Sequence, residues 1–210
     1  MRRKLRDIIW LIQSKFHRNV MVCYGTSLTE GSGWVDLLRK ELPKWHIVNL
    51  AKGGMNSNWG VDNIKLVKRF KPKVILMEWA INDSYEKCPY YKPTNKQSSL
   101  ANIVTMLNAF KDSKIFMLGM NPPFNKFLFD RNPYRDRIFY WWFSNRHREI
   151  AKRNNISYID ITSEWNKLTE FEFLYYCPDG LHPNINASKD ITVPTIIAFL
   201  RKMNYIITSQ

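Results

Sequence analysis

Four short polar segments carry the residues with the most chemical reach. The first, Gly25-Thr26-Ser27-Leu28-Thr29-Glu30-Gly31, directly follows the apolar run Asn19–Tyr24. A serine at a strand-to-helix turn stands exposed, and the N–H groups that open the next helix can face a developing anion. Ser27 is therefore a candidate nucleophile, although a serine here equally serves as a helix cap. The spacing is not the G-x-S-x-G nucleophile elbow, since Thr29 stands two positions past the serine. The second segment is Asn49-Leu50-Ala51-Lys52-Gly53-Gly54. Its glycines let backbone amides approach a ligand, or simply make a turn. In the third, Ala80-Ile81-Asn82-Asp83, the Asn82 amide can donate to an oxyanion, but Asn-Asp is also ordinary turn chemistry. The fourth is Cys177-Pro178-Asp179-Gly180-Leu181-His182-Pro183-Asn184. An aspartate three residues before a histidine can reach back and hold one ring nitrogen. The other nitrogen is then placed to take a proton from a hydroxyl.

The elements that must position these residues alternate along the chain. Strands are expected at Asn19–Tyr24, His46–Leu50, Val74–Glu78, Ile115–Gly119 and Ser157–Ile159. Helices are expected at Trp34–Leu42, Asn58–Phe70, Ser99–Phe110, Tyr134–Asn154 and Ala187–Met203. Strands bounded by helices at this interval indicate βαβ units, hence an α/β fold with one parallel sheet and helices on both faces. In such sheets ligands sit beyond the carboxyl ends of the strands, where the polar segments fall.

At 210 residues the chain suits one large domain, here 19–210, preceded by a basic amphipathic helix over 1–18. Twelve Phe, ten Tyr and eight Trp supply a core and exclude global disorder. No apolar run approaches the ~18 residues of a membrane span. Three Cys without a CxxC pair exclude a disulfide-stapled scaffold and a Cys-based zinc site. A soluble, reduced, cytoplasmic protein is the expectation, with no signal peptide, because the apolar core Ile8–Ile12 is too short for one. The net charge of +14 suggests an anionic partner, whether nucleic acid, an anionic membrane surface or an acidic polymer, with plain solubility as the alternative. In the N-terminal helix Leu5, Ile8, Ile9, Leu11, Ile12 and Phe16 recur at helical spacing among Arg2, Arg3, Lys4, Arg6, Lys15 and Arg18. Such a stripe ordinarily packs on its own domain, and it can alternatively lie on an anionic membrane.

The four segments, in this order, resemble the four blocks of the SGNH/GDSL hydrolase superfamily, over about Val20 to Leu200. Gly25-Thr26-Ser27-Leu28-Thr29 stands for G-D-S-x-T, Asn49 to Gly54 for the second block and Ala80-Ile81-Asn82-Asp83 for G-x-N-D. Asp179 to His182 and Pro183 keep D-x-x-H-P intact. The resemblance implies a three-layer α/β/α sandwich on a five-stranded parallel, flavodoxin-like sheet. It also implies a Ser27–His182–Asp179 triad, with an oxyanion hole from the N–H of Ser27, the N–H of Gly54 and the side chain of Asn82. No metal or cofactor is implied. Thr26 replaces the family's Asp and Ala80 replaces its Gly; the added methyl of Ala80 could shift Asn82.

The resemblance leaves the substrate open. An acyl ester, most plausibly an acetyl group on a carbohydrate, is the leading expectation. An O-acyltransferase with the same triad and a nonenzymatic basic module are the alternatives. The scattered Lys and Arg match no nucleic-acid-binding motif, so no specific nucleic acid is expected. The aromatic run Phe139-Tyr140-Trp141-Trp142-Phe143 suits a sugar ring or an acyl chain, with about half of the rings expected in the core. The resemblance also brings the loops of Cys88 and Cys177 to one rim of the site. Two free thiols near the cleft are expected there, with Cys23 buried and inert.

Overall fold

The computed structural model describes residues 2–85, 90–124 and 138–206, with side chains from residue 5 onward. Cys88 and positions 134–137 of the expected fourth helix lie outside the described residues. The chain runs α1 (Arg2–Ser14), β1 (Val20–Tyr24), α2 (Ser27–Glu30), α3 (Trp34–Glu41), β2 (His46–Asn49), α4 (Ser57–Asp62), α5 (Ile64–Arg69) and β3 (Val74–Met77). It continues through α6 (Ala80–Asp83), α7 (Lys96–Ala109), β4 (Lys114–Gly119), α8 (Tyr140–Arg153), β5 (Ser157–Asp160), α9 (Thr162–Trp165) and α10 (Glu170–Tyr176). It closes with α11 (Ile185–Ala187), a π-helical turn at Ser188–Thr192 and α12 (Val193–Lys202).

The five strands form one parallel sheet in the order β2-β1-β3-β4-β5. β1 therefore sits between β2 and β3, where the winding reverses and a crevice opens at the carboxyl end of the sheet. Strands covered on both faces need apolar side chains at every position, not only at alternate ones. β1 meets this demand: Met21 and Cys23 enter one core layer, while Val20, Val22 and Tyr24 enter the other. β3 divides likewise, Val74 and Leu76 against Ile75 and Met77. The helices covering these layers make the α/β/α sandwich that the periodicity indicates.

Several elements depart from expectation for identifiable reasons. The helix expected over 58–70 is two helices that meet at Asn63. There the side-chain amide donates back to the Trp59 carbonyl at 2.9 Å and competes with the backbone ladder. The last helix changes pitch around Pro194, which has no N–H to continue an α-helical ladder. In α8, Tyr140 and Phe143 are buried while Phe139, just before the helix, and Trp141 remain exposed, so the aromatic run is divided between core and surface. Cys23 is buried as expected. Cys177 is free as expected and its Sγ lies 4.0 Å from Asp179 Oδ1, but it is buried, packed into the core layer with Phe173 and Leu181.

The packing of α1 also corrects the sequence expectation. Trp10 and Leu11 pack on the domain, and Ser14 is buried. Leu5, Ile8, Ile9, Ile12 and Phe16 instead face solvent. The helix is gripped by its other side: the Trp10 carbonyl meets His46 Nε2 at 3.1 Å, and the guanidinium groups of Arg6 and Arg39 lie 4.5 and 5.2 Å from the Trp10 ring.

Candidate active site

The turn after β1 leaves Ser27 available because its neighbour does the capping. Thr26, in extended conformation, is the N-cap of α2, and its hydroxyl accepts from the Leu28 N–H at 3.3 Å. The Ser27 hydroxyl instead lies 3.1 Å from His182 Nε2, across 155 positions of chain. On the far side of the ring, Nδ1 lies 2.7 Å from Asp179 Oδ2. Asp179 Oδ1 accepts the N–H groups of Leu181 and His182 at 2.9 and 2.7 Å. These bonds fold the Asp179–His182 segment back on itself, with Gly180 at φ +76° making the reversal. Burial pushes the Asp179 carboxyl up, but the N–H groups and ring it accepts from outweigh this and hold it below its ordinary value. An ionised Asp179 accepts a hydrogen bond from Nδ1–H and so keeps the proton on that nitrogen, and Nε2 presents its lone pair to Ser27. The loop is fastened from outside by Asn121, which donates to the Leu181 carbonyl at 2.8 Å, and by Ser188, whose hydroxyl donates to the Ser32 carbonyl.

The segments after β2 and β3 close on the same turn. Lys52 N–H donates to the Gly25 carbonyl at 3.0 Å, and Asn49 donates to the Thr29 carbonyl at 3.0 Å. Gly53 lies so near Ser27 that a Cβ built on it would stand 3.5 Å from the serine Cβ. Gly54 has φ +74°, and the Tyr90 ring occupies the place of its missing Cβ, which would approach within 2.8 Å. Any other residue would meet both strain and collision there. The buried Asn82 donates to the Met55 carbonyl at 2.9 Å, which ties the loop after β3 to the residue following Gly54. Ala80 in place of glycine leaves this bond intact. All five sequence-predicted residues thus gather at the carboxyl ends of β1, β2 and β3 and at the loop before α11.

Two features had escaped the sequence reading. The first is Glu78, fully buried beneath the turn. Its Oε1 accepts from the Thr26 N–H at 2.6 Å and from the hydroxyls of Thr26 and Thr29 at 2.9 Å each. A Cβ at Gly25 would fall 2.4 Å from the same oxygen, so glycine is required there. Burial pushes the Glu78 carboxyl up to about 7, against the pull of the three donors and with a further push from Asp83. A charged residue ending an otherwise apolar strand was the available signal. Thr26 makes the second contact that its position requires, since its hydroxyl also donates to this carboxylate.

The second feature is a buried array next to Asn82. Asp83 accepts the Ser57 N–H at 2.8 Å on one oxygen and the Ser99 hydroxyl on the other. Ser99 Oγ lies 2.9 Å from His147 Nε2. The one hydroxyl proton of Ser99 goes to Asp83, so His147 donates its Nε2–H to the serine oxygen. Burial holds His147 neutral, its pKa pushed down to about 3, and pushes Asp83 up to about 6. Ser99 and Asp83 have no solvent exposure. No local pattern marks this array, because 48 positions separate Ser99 from His147.

The sequence model described as the GDSL-like Lipase/Acylhydrolase family matches residues 23–187, an interval containing every residue of the two arrays. No curated protein matches the chain. Among solved structures, a lipase/acylhydrolase from Enterococcus faecalis superposes with a TM-score of 0.75 at 16% identity, over 91% of this chain and 99% of that one. A GDSL-like lipase from Bacteroides thetaiotaomicron gives 0.71 at 19% identity, over 94% and 98%. A catalytic mutant of an acetylxylan esterase from Geobacillus stearothermophilus gives 0.71 at 17% identity, over 92% and 98%. At these identities the likeness is one of fold.

Proposed function

Because the chain belongs to the GDSL-like lipase/acylhydrolase family of carboxylic ester hydrolases, we propose that Ser27, His182 and Asp179 are its catalytic triad. The observation that carries this reading is the placing of one imidazole between a serine hydroxyl at 3.1 Å and a carboxylate at 2.7 Å. His182 Nε2 takes the Ser27 proton as the serine oxygen attacks the ester carbonyl. The carbonyl oxygen becomes an oxyanion facing the Ser27 N–H, the Gly54 N–H and the Asn82 amide. The imidazolium, steadied by Asp179, protonates the departing alcohol as the carbon–oxygen bond breaks. Water then repeats the sequence on the acyl-enzyme and restores Ser27. Donors held in place before the reaction stabilise the oxyanion without reorganising, which is where most of such a rate enhancement arises.

We propose an O-acetyl group on a carbohydrate as the substrate. Support comes from the acetylxylan esterases that share the fold, and from the Tyr90 ring lying over Gly54, where an aromatic face can hold a sugar ring. Hydrolysis of para-nitrophenyl esters of increasing chain length, by the native chain and by Ser27→Ala, tests both parts. Activity falling steeply beyond acetyl and lost with Ser27 is expected. Undiminished activity in the variant would remove the triad, and a preference for long chains would remove the acetyl assignment. Adding sugar acceptors during turnover separates hydrolysis from acyl transfer.

A further inference from the structure

The outer face of α1 has no counterpart in the ester chemistry. At about 100° per residue, Leu5, Ile8, Ile9 and Ile12 fall within an arc of about 100°, and Trp10, Leu11 and Ser14 fall on the opposite side. The inner group is held by the domain. The outer group is 60%, 53%, 46% and 53% exposed, and Phe16, in the turn that closes the helix, is 82% exposed. Five large apolar side chains in one exposed stripe exceed what a scattered surface explains. The helix cannot roll to cover them, because its inner face is locked. Both arginines lie against the Trp10 ring, the Trp10 carbonyl meets His46, and His17 stacks on His46 with ring centroids 4.8 Å apart.

Charge selects among the surfaces that could cover this stripe. The chain carries a net +14, and within positions 2–18 six Lys and Arg accompany the single acid Asp7. A second copy of the chain would bring two basic helices face to face, each on a body of charge +14, and repulsion opposes that contact. A neutral apolar surface would leave the basic residues without partners. An anionic bilayer satisfies both properties: the stripe enters the acyl boundary while Lys and Arg meet headgroup phosphates. We propose that α1 is an interfacial anchor that seats this enzyme on an anionic phospholipid surface. The anchor is fastened at His46, the amino end of β2, whereas the candidate site grows from the carboxyl ends of the strands. The bound enzyme therefore keeps its cleft clear of the lipid and open to a substrate arriving from solution.

Co-sedimentation with vesicles of phosphatidylglycerol and phosphatidylcholine, compared with phosphatidylcholine alone, tests the anchor. Binding to the anionic vesicles is expected, weakening as salt is raised toward about 0.5 M. The Ile8→Asp/Ile12→Asp variant is expected to bind about tenfold more weakly or worse, while hydrolysing para-nitrophenyl acetate like the native chain. Lys15→Glu/Arg18→Glu leaves the apolar stripe untouched and should weaken anionic binding by itself, which keeps the test valid if the first variant folds poorly. Unchanged vesicle binding in both variants would overturn the proposal. So would a native dimer, by sedimentation equilibrium, that the Ile8→Asp/Ile12→Asp variant dissolves.

Discussion

The array of Ser27, His182 and Asp179 and that of Ser99, His147 and Asp83 use the same three kinds of side chain with a different one in the middle. In the first, histidine lies between serine and aspartate, donates its Nδ1–H to the carboxylate and offers the Nε2 lone pair to the hydroxyl. In the second, serine lies in the middle: its proton goes to Asp83, and the imidazole donates to it. Ser99 is thus stripped of the base that would make it nucleophilic, although a histidine stands within hydrogen-bond distance. Exposure separates the two as sharply. His182 and Asp179 keep 44% and 47% of their side-chain surface, against 3% and 0% for His147 and Asp83. Residue types and proximity do not make a triad; the direction of proton donation and a path for substrate do. The buried array holds Asp83, and with it the neighbouring Asn82, by linking the turn after β3 to α4, α7 and α8.

Exchanging the consequences of the two arrays by mutation is the strongest way to break this comparison. Ser27→Ala should lower kcat/KM by about 10⁴-fold or more with an unchanged unfolding midpoint. Ser99→Ala should do the reverse, costing about 1–3 kcal/mol in urea unfolding by leaving Asp83 and His147 without their buried partner. A dead but fully stable Ser99→Ala enzyme would show that the inner array takes part in turnover. Asp179→Asn should cost about 10³–10⁴-fold in kcat, since it favours the wrong tautomer of His182. Asn82→Ala should cost about 10²–10³-fold in kcat, the value of one oxyanion donor, read by steady-state kinetics.

The pH dependence of stability sharpens the comparison further, because the buried groups titrate far from their ordinary values. His147 is depressed from 6.5 to about 3, so its contribution is present above 6.5 and lost as pH falls toward 3. Glu78 and Asp83 are raised from 4.5 and 3.8 to about 7 and 6. Their contributions are complete below the ordinary values and are lost as pH rises through about 6–7. Glu78→Gln should therefore flatten the loss of stability between about pH 4.5 and 7 in urea midpoints measured across pH. The smallest effect belongs to Thr29→Val, which removes one of the donors to Glu78 and should cost about 1 kcal/mol.

The strands and the candidate site were legible because both are written locally. Unbroken apolar runs such as Val74–Met77 need only a few adjacent residues, and the Asp179–His182 segment folds through bonds spanning two or three positions. What stayed hidden depends on partners far away in sequence. Glu78 meets Thr26 across 52 positions, so nothing around Thr26 indicates which carboxylate it serves. The break at Asn63 follows from one side chain turning back on its own helix, which composition does not reveal. For α1 the periodicity gave an apolar stripe correctly, but not which side would face the domain. Of that stripe only Leu11 makes the inner contact, together with Trp10, which the periodicity had not included.

The contact between Ser27 and His182 spans 155 positions, and the bond from Ser188 to Ser32 closes the same seam across 156. At roughly 5–20 residues per second, synthesis delivers His182 roughly eight to thirty seconds after Ser27. During that interval β1, β2 and β3 are already made and can pair, and the turn capped by Thr26 can form with no imidazole beside Ser27 to draw its proton. The nascent chain therefore carries an inert hydroxyl until its last quarter docks. With the proposed triad, ester hydrolysis reports the final closure of folding, and a chain interrupted before His182 is expected to be silent however well its first three strands have assembled.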